Sequence, residues 1–431
     1  MKMTCILMAF SIGFSCCNNN NPQKRELESM NEGRLLNEHF FFSVPYRQTS
    51  DSAAVISVVI DGKKRRFMID TGAPLSVSKA LQEEMGFEVL QDMQLRDANG
   101  DSTNVKIVRV KHLAMGPLQI ADVPALVLDF SSPLFACDTL DGLIGSNLLR
   151  MMIVQFNKPE RRIYFGDDID SFRLNSLATS IDMYLNSMQS DPTVPVHIGA
   201  GVTDTVLYDS GDGHLYNLSK PRFDAFNKNG ALAHTILRKG TGVGSQGILA
   251  SNTDTLPSMQ VKIDSFRLGN SFIKNVVAPQ QIDNHSRMGR GLWDYGVVTM
   301  DYLKRKFYFS PFSKSSVYRE KRDFGFLYQE RNGKLVVTVV WEGTQAFECG
   351  MKAGDEIVRF GDFIPASVSK CDWYTYTERE IRTESLNLKY KTGNSEVRQC
   401  VLHKIFLDCP GLHVSRHADR CARTTQSRRA I

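Results

Sequence analysis

Two aspartates carry the chemistry that can be read from this sequence. The stretch FMIDTGAPLSVSKA, residues 67–80, drives one carboxylate, Asp70, into an apolar run, and Thr71 and Gly72 follow at once. An unpaired buried charge is expensive, so such a carboxylate needs a partner or a task. Residues 205–220, TVLYDSGDGHLYNLSK, repeat the pattern with Asp209, Ser210 and Gly211. Each triplet follows a strand-like run and precedes a Ser-Lys pair. Two carboxyl groups held close together cannot both ionise easily; one keeps a proton and the pair titrates as a unit. A water between them can lose a proton to the ionised partner while the protonated one donates to a substrate carbonyl. The glycines let backbone and water approach closely. The hydroxyl of Thr71 or Ser210 is placed to hydrogen-bond backbone across the two loops.

The elements that must position these residues are themselves repeated. MIVQFNKPERRIYF (152–165) and GVVTMDYLKRKFYF (296–309) align without a gap, each reading as a β-hairpin. At the same offset DGLIGSNLLRM (141–151) lies over HSRMGRGLWDY (285–295), which puts Gly145 on Gly289. Upstream, LAMGPLQIADV (113–123) matches FRLGNSFIKNV (266–276), so Gly116 falls on Gly269. Carboxylate and glycine are 75 residues apart in the first copy (70 to 145) and 80 in the second (209 to 289). Two such lobes related by a pseudo-two-fold axis bring Asp70 and Asp209 together.

IDTGA with a downstream DGLIGSNLL resembles the retropepsin-like aspartic proteases. The resemblance covers about residues 41–168, with a weaker second copy at about 190–312. Retropepsins reach two lobes by homodimerising, whereas this chain reads as carrying both, as pepsins do. The resemblance implies a mostly β, bilobal pepsin/retropepsin-like architecture of β-barrel lobes and hydrolysis of polypeptides. It implies Asp70 and Asp209 as catalytic residues, supported by Thr71, Gly72, Ser210 and Gly211, with no cofactor and no metal. It also implies a flap over the substrate. In the first lobe MQLRDANGDSTNVKIVRV (93–110) fits, with Asn99-Gly100 as a tight-turn signal. In the second, LRKGTGVGSQGIL (237–249) fits either a mobile tip or a flexible surface loop. Two departures stand out. Asp212 occupies the place of Ala73, and MGRGLW is a poor copy of IGSNLL. A third carboxylate beside the pair either turns outward or raises the pair's pKa values by like-charge repulsion.

A third module follows. EGTQAFECGMKAGDEIVRFG resembles the core of a PDZ domain over about residues 322–408. The resemblance implies that Phe324, Gly325 and Phe326 form a carboxylate-binding loop beside an exposed strand edge, with peptide C-termini or unfolded segments as partners. Asp355 reads as a turn residue that caps local backbone. Residues 167–190 read as a link between the lobes whose first part covers a core edge. The tail 409–431 has no apolar periodicity, and disorder is expected.

The chain has 431 residues, 42% hydrophobic and 23% charged, with a net charge of +5 spread widely. Charge therefore gives no nucleic-acid groove, and Lys63-Lys64-Arg65-Arg66 reads as a solvated hairpin turn. No apolar run reaches the roughly 18–20 residues of a membrane-spanning helix. Residues 1–17 read as an export signal: Lys2, then MTCILMAFSIGFSCC, then a polar NNNNPQKRE. GFSC resembles a loose bacterial lipobox. It implies lipidation at Cys16 (Cys17 being the second choice), a membrane anchor, and a place in the bacterial cell envelope, lipid-anchored or periplasmic. A plain signal peptide without lipid is the alternative. The nine cysteines include no C-x-x-C pair, and pairing among Cys349, Cys371 and Cys400 is open in an oxidising compartment. There is no H-E-x-x-H zinc helix and no G-x-S-x-G nucleophile elbow. His112, His214 and His234 read as strand or surface residues.

The sequence thus points to an aspartic endopeptidase with a fused PDZ module, active at acidic to mildly acidic pH. A catalytically inactive bilobal polypeptide-binding protein and a homodimeric protease using only Asp70 are the alternatives. The first reading requires the Asp70 and Asp209 carboxyls within hydrogen-bond reach in one chain.

Overall fold

The computed structural model describes residues 29–49, 52–96, 102–130, 137–199, 201–230, 236–243, 255–281, 284–318, 322–331 and 333–406. Cys16, Cys17, Asn99, Gly100, His234, residues 244–249 and the tail from 409 lie outside them. The described chain is mostly β-strand.

In the first half, apolar Phe67, Met68 and Ile69 are buried at the end of the strand Lys63–Asp70. This strand pairs antiparallel with Ala54–Ile60 and parallel with Gly142–Gly145, so that Gly145 lies beside Asp70. A long hairpin, Ser102–Met115 and Leu118–Leu128, turns at Gly116, whose φ of +57° suits glycine. The second half makes the same pairings. Val202–Asp209 runs antiparallel to Pro192–Ile198 and parallel to Arg287–Gly289, with Gly289 beside Asp209. Thr255–Leu268 and Ser271–Gln281 form the long hairpin and turn at Gly269, φ +59°.

Left-handed non-glycine residues recur in step. Asp122 (φ 61°) and Asn275 (φ 58°) follow the turn glycines 116 and 269 by the same interval, and Arg161 (φ 51°) and Arg305 (φ 53°) turn the two later hairpins. Side chains other than glycine visit this region at a cost. Its recurrence at matched positions shows one backbone path imposed twice.

The halves meet in a six-stranded sheet. Its order is Thr179–Asp182, Lys306–Pro311, Gly296–Asp301, Ile153–Asn157, Arg162–Gly166, Phe41–Pro45. At the centre Gln155 lies opposite Thr299 and donates from Nε2 to its Oγ1 at 2.9 Å. These two residues are repeat mates at the offset that takes 152 to 296.

Residues flanking the repeats join this body. Met30, before Phe41, is fully buried and its N–H donates to Met188 O at 2.8 Å. Within 167–190, Thr179–Asp182 covers one edge of the six-stranded sheet, and Met183 and Gln189 are buried.

Residues 322–406 have a core of their own, centred on Phe326, Val337, Phe360, Leu388 and Tyr390. Its strands are Arg322–Asp323, Phe326–Arg331, Lys334–Trp341, Glu356–Phe360, Ser385–Lys391 and Val397–His403, with the helix Lys370–Glu380. Asp355 caps local backbone as expected, accepting from Lys352 N–H at 2.8 Å. This region is tied to the second half through the strand Ile236–Val243, in which Gly240 lies opposite Trp341. A Cβ on Gly240 would come within 2.3 Å of Val340 O, so only glycine lets these strands meet. The described part of 237–249 is thus no mobile tip: it is a strand paired on both sides. Arg238 forms a forked pair with the Asp323 carboxylate, with Nη1 at 3.0 Å from Oδ1, and its guanidinium stands 4.3 Å from the Trp341 ring centre. Both partners of the pair are buried. Cys349 pairs with Cys400, but Cys371 pairs with Cys137 in the first half, 234 residues away. The two Cα–Cα distances, 6.3 and 5.2 Å respectively, suit disulfides.

Candidate active site

Asp70 and Asp209 each end a buried strand and begin a tight loop that folds back on the neighbouring glycine strand. The fold-back explains both glycines. A Cβ on Gly145 would lie 2.1 Å from the Pro74 carbonyl carbon, and one on Gly289 2.3 Å from Asp212 O. Ser146 N–H donates to Ala73 O at 2.9 Å, and Arg290 N–H donates to Asp212 O at 2.8 Å, closing equivalent loops.

The two loops grip each other reciprocally. Thr71 Oγ1 donates to Tyr208 O at 2.7 Å and accepts from Ser210 N–H at 2.9 Å. Ser210 Oγ donates to Ile69 O and accepts from Thr71 N–H, both at 3.1 Å. Each hydroxyl therefore bonds the residue just before the other half's aspartate. The glycines face across in the same way. A Cβ on Gly72 would lie 2.7 Å from Asp209 Cγ, and one on Gly211 2.7 Å from Asp70 Oδ2. Asp70 Oδ1 accepts from Gly72 N–H at 2.9 Å. Asp209 Oδ1 accepts from Gly211 N–H at 2.9 Å and Asp212 N–H at 3.2 Å. The two carboxyl groups are fully buried and interact electrostatically with each other.

Burial pushes Asp70 up to about 6, against its interaction with Asp209, its bond from Gly72 N–H and the charges of Arg287 and Arg290. Burial and the Asp70 charge push Asp209 well above the usual carboxylate range; Arg287 opposes this and Asp212 adds to it. Both members are thus raised and the pair titrates as a unit, one carboxyl ionising while the other holds the proton. Such a pair can take a proton from one group and donate one to another in a single step.

The third carboxylate turns to its own loop. Asp212 Oδ1 accepts from His214 N–H at 2.8 Å and sits 3.0 Å from His214 Nδ1, while Asn217 Nδ2 donates to Oδ2. Burial would raise its pKa, but the His214 bonds and the Arg287 charge outweigh burial and lower it. His214 is therefore a largely buried partner of Asp212, and not a strand or surface residue as expected. His112 is an exposed strand residue.

Sequence reasoning passed over Arg287 and Arg290, both buried beside the pair. Arg290 Nη1 donates to Gly211 O. For Arg290 the signal lay in the poor match of MGRGLW to IGSNLL, a difference of charge; Arg287 lies just before that stretch, aligned on Leu143.

The other expected site residues lie apart from the carboxyl pair. Phe324 and Phe326 are buried in the core of the third region. Gly325, φ +83°, donates its N–H to Asp323 Oδ1 at 2.9 Å, and its carbonyl accepts from Trp341 N–H. That donor is engaged by the chain's own Asp323, which Arg238 neutralises.

Comparison with known proteins bears on the first half. Residues 56–148 match the aspartyl protease family model, a stretch that includes Asp70 and Gly145 and ends before Asp209. An aspartyl protease domain thus lies at residues 56–148, within a mostly β chain. Among solved structures, a retropepsin-like aspartic protease from Rickettsia conorii is 16% identical, covering 31% of this chain and 95% of its own, with a TM-score of 0.22. No curated protein matches the chain.

Proposed function

We propose that this chain is an aspartic endopeptidase whose catalytic pair, Asp70 and Asp209, comes from two protease lobes in one polypeptide. The observation that carries this reading is the reciprocal bonding of Thr71 and Ser210, which holds both carboxyls face to face within a single chain. The ionised Asp70 takes a proton from a water lying between the carboxyls. The water oxygen attacks the scissile carbonyl carbon, and Asp209 donates its proton to the carbonyl oxygen. Collapse of the tetrahedral intermediate breaks the C–N bond, with the proton held by Asp70 passing to the leaving nitrogen and one hydroxyl proton returning to Asp209. The pair works while it holds one proton. Its raised pKa values favour activity around and above pH 6, nearer neutrality than the sequence suggested.

The hairpin of Glu88–Arg96 and Ser102–Met115 is the candidate flap. Residues 322–406 serve in this reading as a PDZ-type module that presents polypeptide by strand addition. Phe326–Arg331 supports it, since among the described residues this strand pairs on one side only. A lipid anchor at Cys16 would place the enzyme in the cell envelope, and the two disulfides fit an oxidising compartment. Loss of membrane fractionation in Cys16→Ser, with Cys17 intact, tests the anchor.

The peptidase reading is tested by incubating the purified chain with a permanently unfolded protein across about pH 4 to 8, beside the Asp70→Asn/Asp209→Asn double variant. Cleavage by the wild type and none by the double variant is expected. Equal cleavage by both, or no cleavage by either at any pH, overturns the reading.

A further inference from the structure

Among the differences between the two carboxylate loops and their glycine strands, three place a formal charge in the second copy where the first has a neutral residue. Asp212 stands where the first copy has Ala73, Arg287 where it has Leu143, and Arg290 where it has Ser146. The sheet register fixes these equivalences. Leu143 lies opposite Met68, two residues before Asp70, and Arg287 lies opposite Leu207, two residues before Asp209. The substitutions add one acid and two bases, and all three side chains are buried.

Formal charge in this buried cluster depends on the pair. Asp212 contributes one negative charge and Arg287 with Arg290 two positive ones, and the balance below holds while the partly exposed His214 ring carries no extra proton. With both members of the pair protonated the cluster is positive, and with both ionised it is negative. It is neutral only when the pair carries one charge and one proton. Burying an uncompensated charge in a medium of low dielectric is costly, so the surroundings favour that state over its two neighbours. Among the described residues, two further polar groups lie near the pair, Tyr208 and Ser146, and both are neutral. Tyr208, just before Asp209, accepts on its hydroxyl from Trp293 Nε1. Ser146 donates to Thr71 O and bonds Tyr302, beyond which lies buried Asp191, kept mainly protonated by burial below about pH 7. The Arg290 bond to Gly211 O anchors one cation on the loop of Asp209 itself.

We infer that Arg287 and Arg290 are positioning residues whose charges hold the Asp70–Asp209 pair in its singly ionised state, matched against the added carboxylate of Asp212. The poor second copy is then a compensated one. Its usefulness to catalysis rests on the peptidase reading; the charge balance itself does not.

The test separates the two. In the full chain with 13C-labelled aspartate carboxyls, the Asp70 resonance is identified by its loss in Asp70→Asn. It is titrated in the wild type, Arg287→Met, Arg287→Lys, Asp212→Asn and the Arg287→Met/Asp212→Asn double variant. Removing an adjacent opposite charge should raise the Asp70 midpoint by about one pH unit or more, and removing the like charge should lower it similarly. The double variant should return towards the wild type, and Arg287→Lys should retain the wild-type midpoint. The acid limb of kcat/KM should move with the midpoint. Folded Arg287→Met and Asp212→Asn with unmoved midpoints would overturn the inference and leave the arginines as packing. If Arg287→Met does not fold, Asp212→Asn and Arg290→Gln must move the midpoint in opposite directions, and failure to do so overturns it equally. Shifted midpoints in a chain without peptidase activity would sustain the charge balance and refute the proposed function alone.

Discussion

Thr71→Val should weaken the fold and Ser210→Ala should weaken it less. Thr71 Oγ1 serves two buried backbone groups, Ser210 N–H at 2.9 Å and Tyr208 C=O at 2.7 Å. Valine fills nearly the same space with no hydroxyl, so both groups lose a partner that water cannot replace. A buried group left unsatisfied costs about 1–3 kcal/mol, which gives about 2–5 kcal/mol for Thr71→Val. Ser210 Oγ makes the two equivalent bonds at 3.1 Å each, longer than those of Thr71, so its loss should fall at the low end of the same range, about 2–3 kcal/mol. Equilibrium urea unfolding gives the totals, and hydrogen exchange locates them: in Thr71→Val the Ser210 amide should lose protection first. Thr71→Ser, which keeps the hydroxyl, should recover most of the loss. A Thr71→Val chain as stable as the wild type, or a larger effect from Ser210→Ala, would refute the claim that the reciprocal bonds join the halves.

Further outcomes follow from the same geometry. Folded Asp70 retains its proton up to about 6 against an ordinary value of 3.8, so the folded chain holds a proton that the unfolded chain releases and stability falls as pH rises through that window. Asp70→Asn should accordingly be about 3 kcal/mol more stable than the wild type at pH 7 and indistinguishable from it near pH 3, as read by urea midpoints. Gly72→Ala places a methyl 2.7 Å from the Asp209 carboxyl, which can move aside. Peptidase activity should drop at least about 100-fold with little change in unfolding midpoint. Gly145→Ala meets backbone at 2.1 Å and should instead prevent folding, as circular dichroism will show. Arg238→Met strands the buried Asp323 carboxylate and should cost about 3–5 kcal/mol, seen as lost exchange protection in Ile236–Val243 and Lys334–Trp341. Adding Asp323→Leu should restore most of that protection.

What was legible in the sequence was what short stretches determine. The Asp-Thr-Gly and Asp-Ser-Gly triplets, the glycines that receive their loops and the two gapless hairpins each depend on local packing. The hairpin offset already held one pairing, because Gln155 and Thr299 are its mates and lie opposite each other. Links between distant residues left no such trace. Arg238 lies in the glycine-rich stretch 237–249 and Asp323 just before Phe324, yet neither stretch marks the other as its partner, and Cys137 lies far along the chain from Cys371. Asp212 and the stretch MGRGLW that holds Arg290 were visible as departures and Arg287 was not, and their charges balance only in space. Met30 gave no signal because one buried residue before a two-residue strand has no periodicity to read.

The measurement that bears most directly on a catalytic pair within one chain is the rate at which Asp209→Asn cleaves an unfolded protein, beside Asp70→Asn and the double variant. Asparagine keeps the volume and removes the proton chemistry, so each single variant should lose nearly all activity and the double variant should be scarcely worse, as for residues that act as a unit. Undiminished cleavage by Asp209→Asn, with Asp70→Asn inactive, would contradict the single-chain pair and assign the chemistry to Asp70 from two chains.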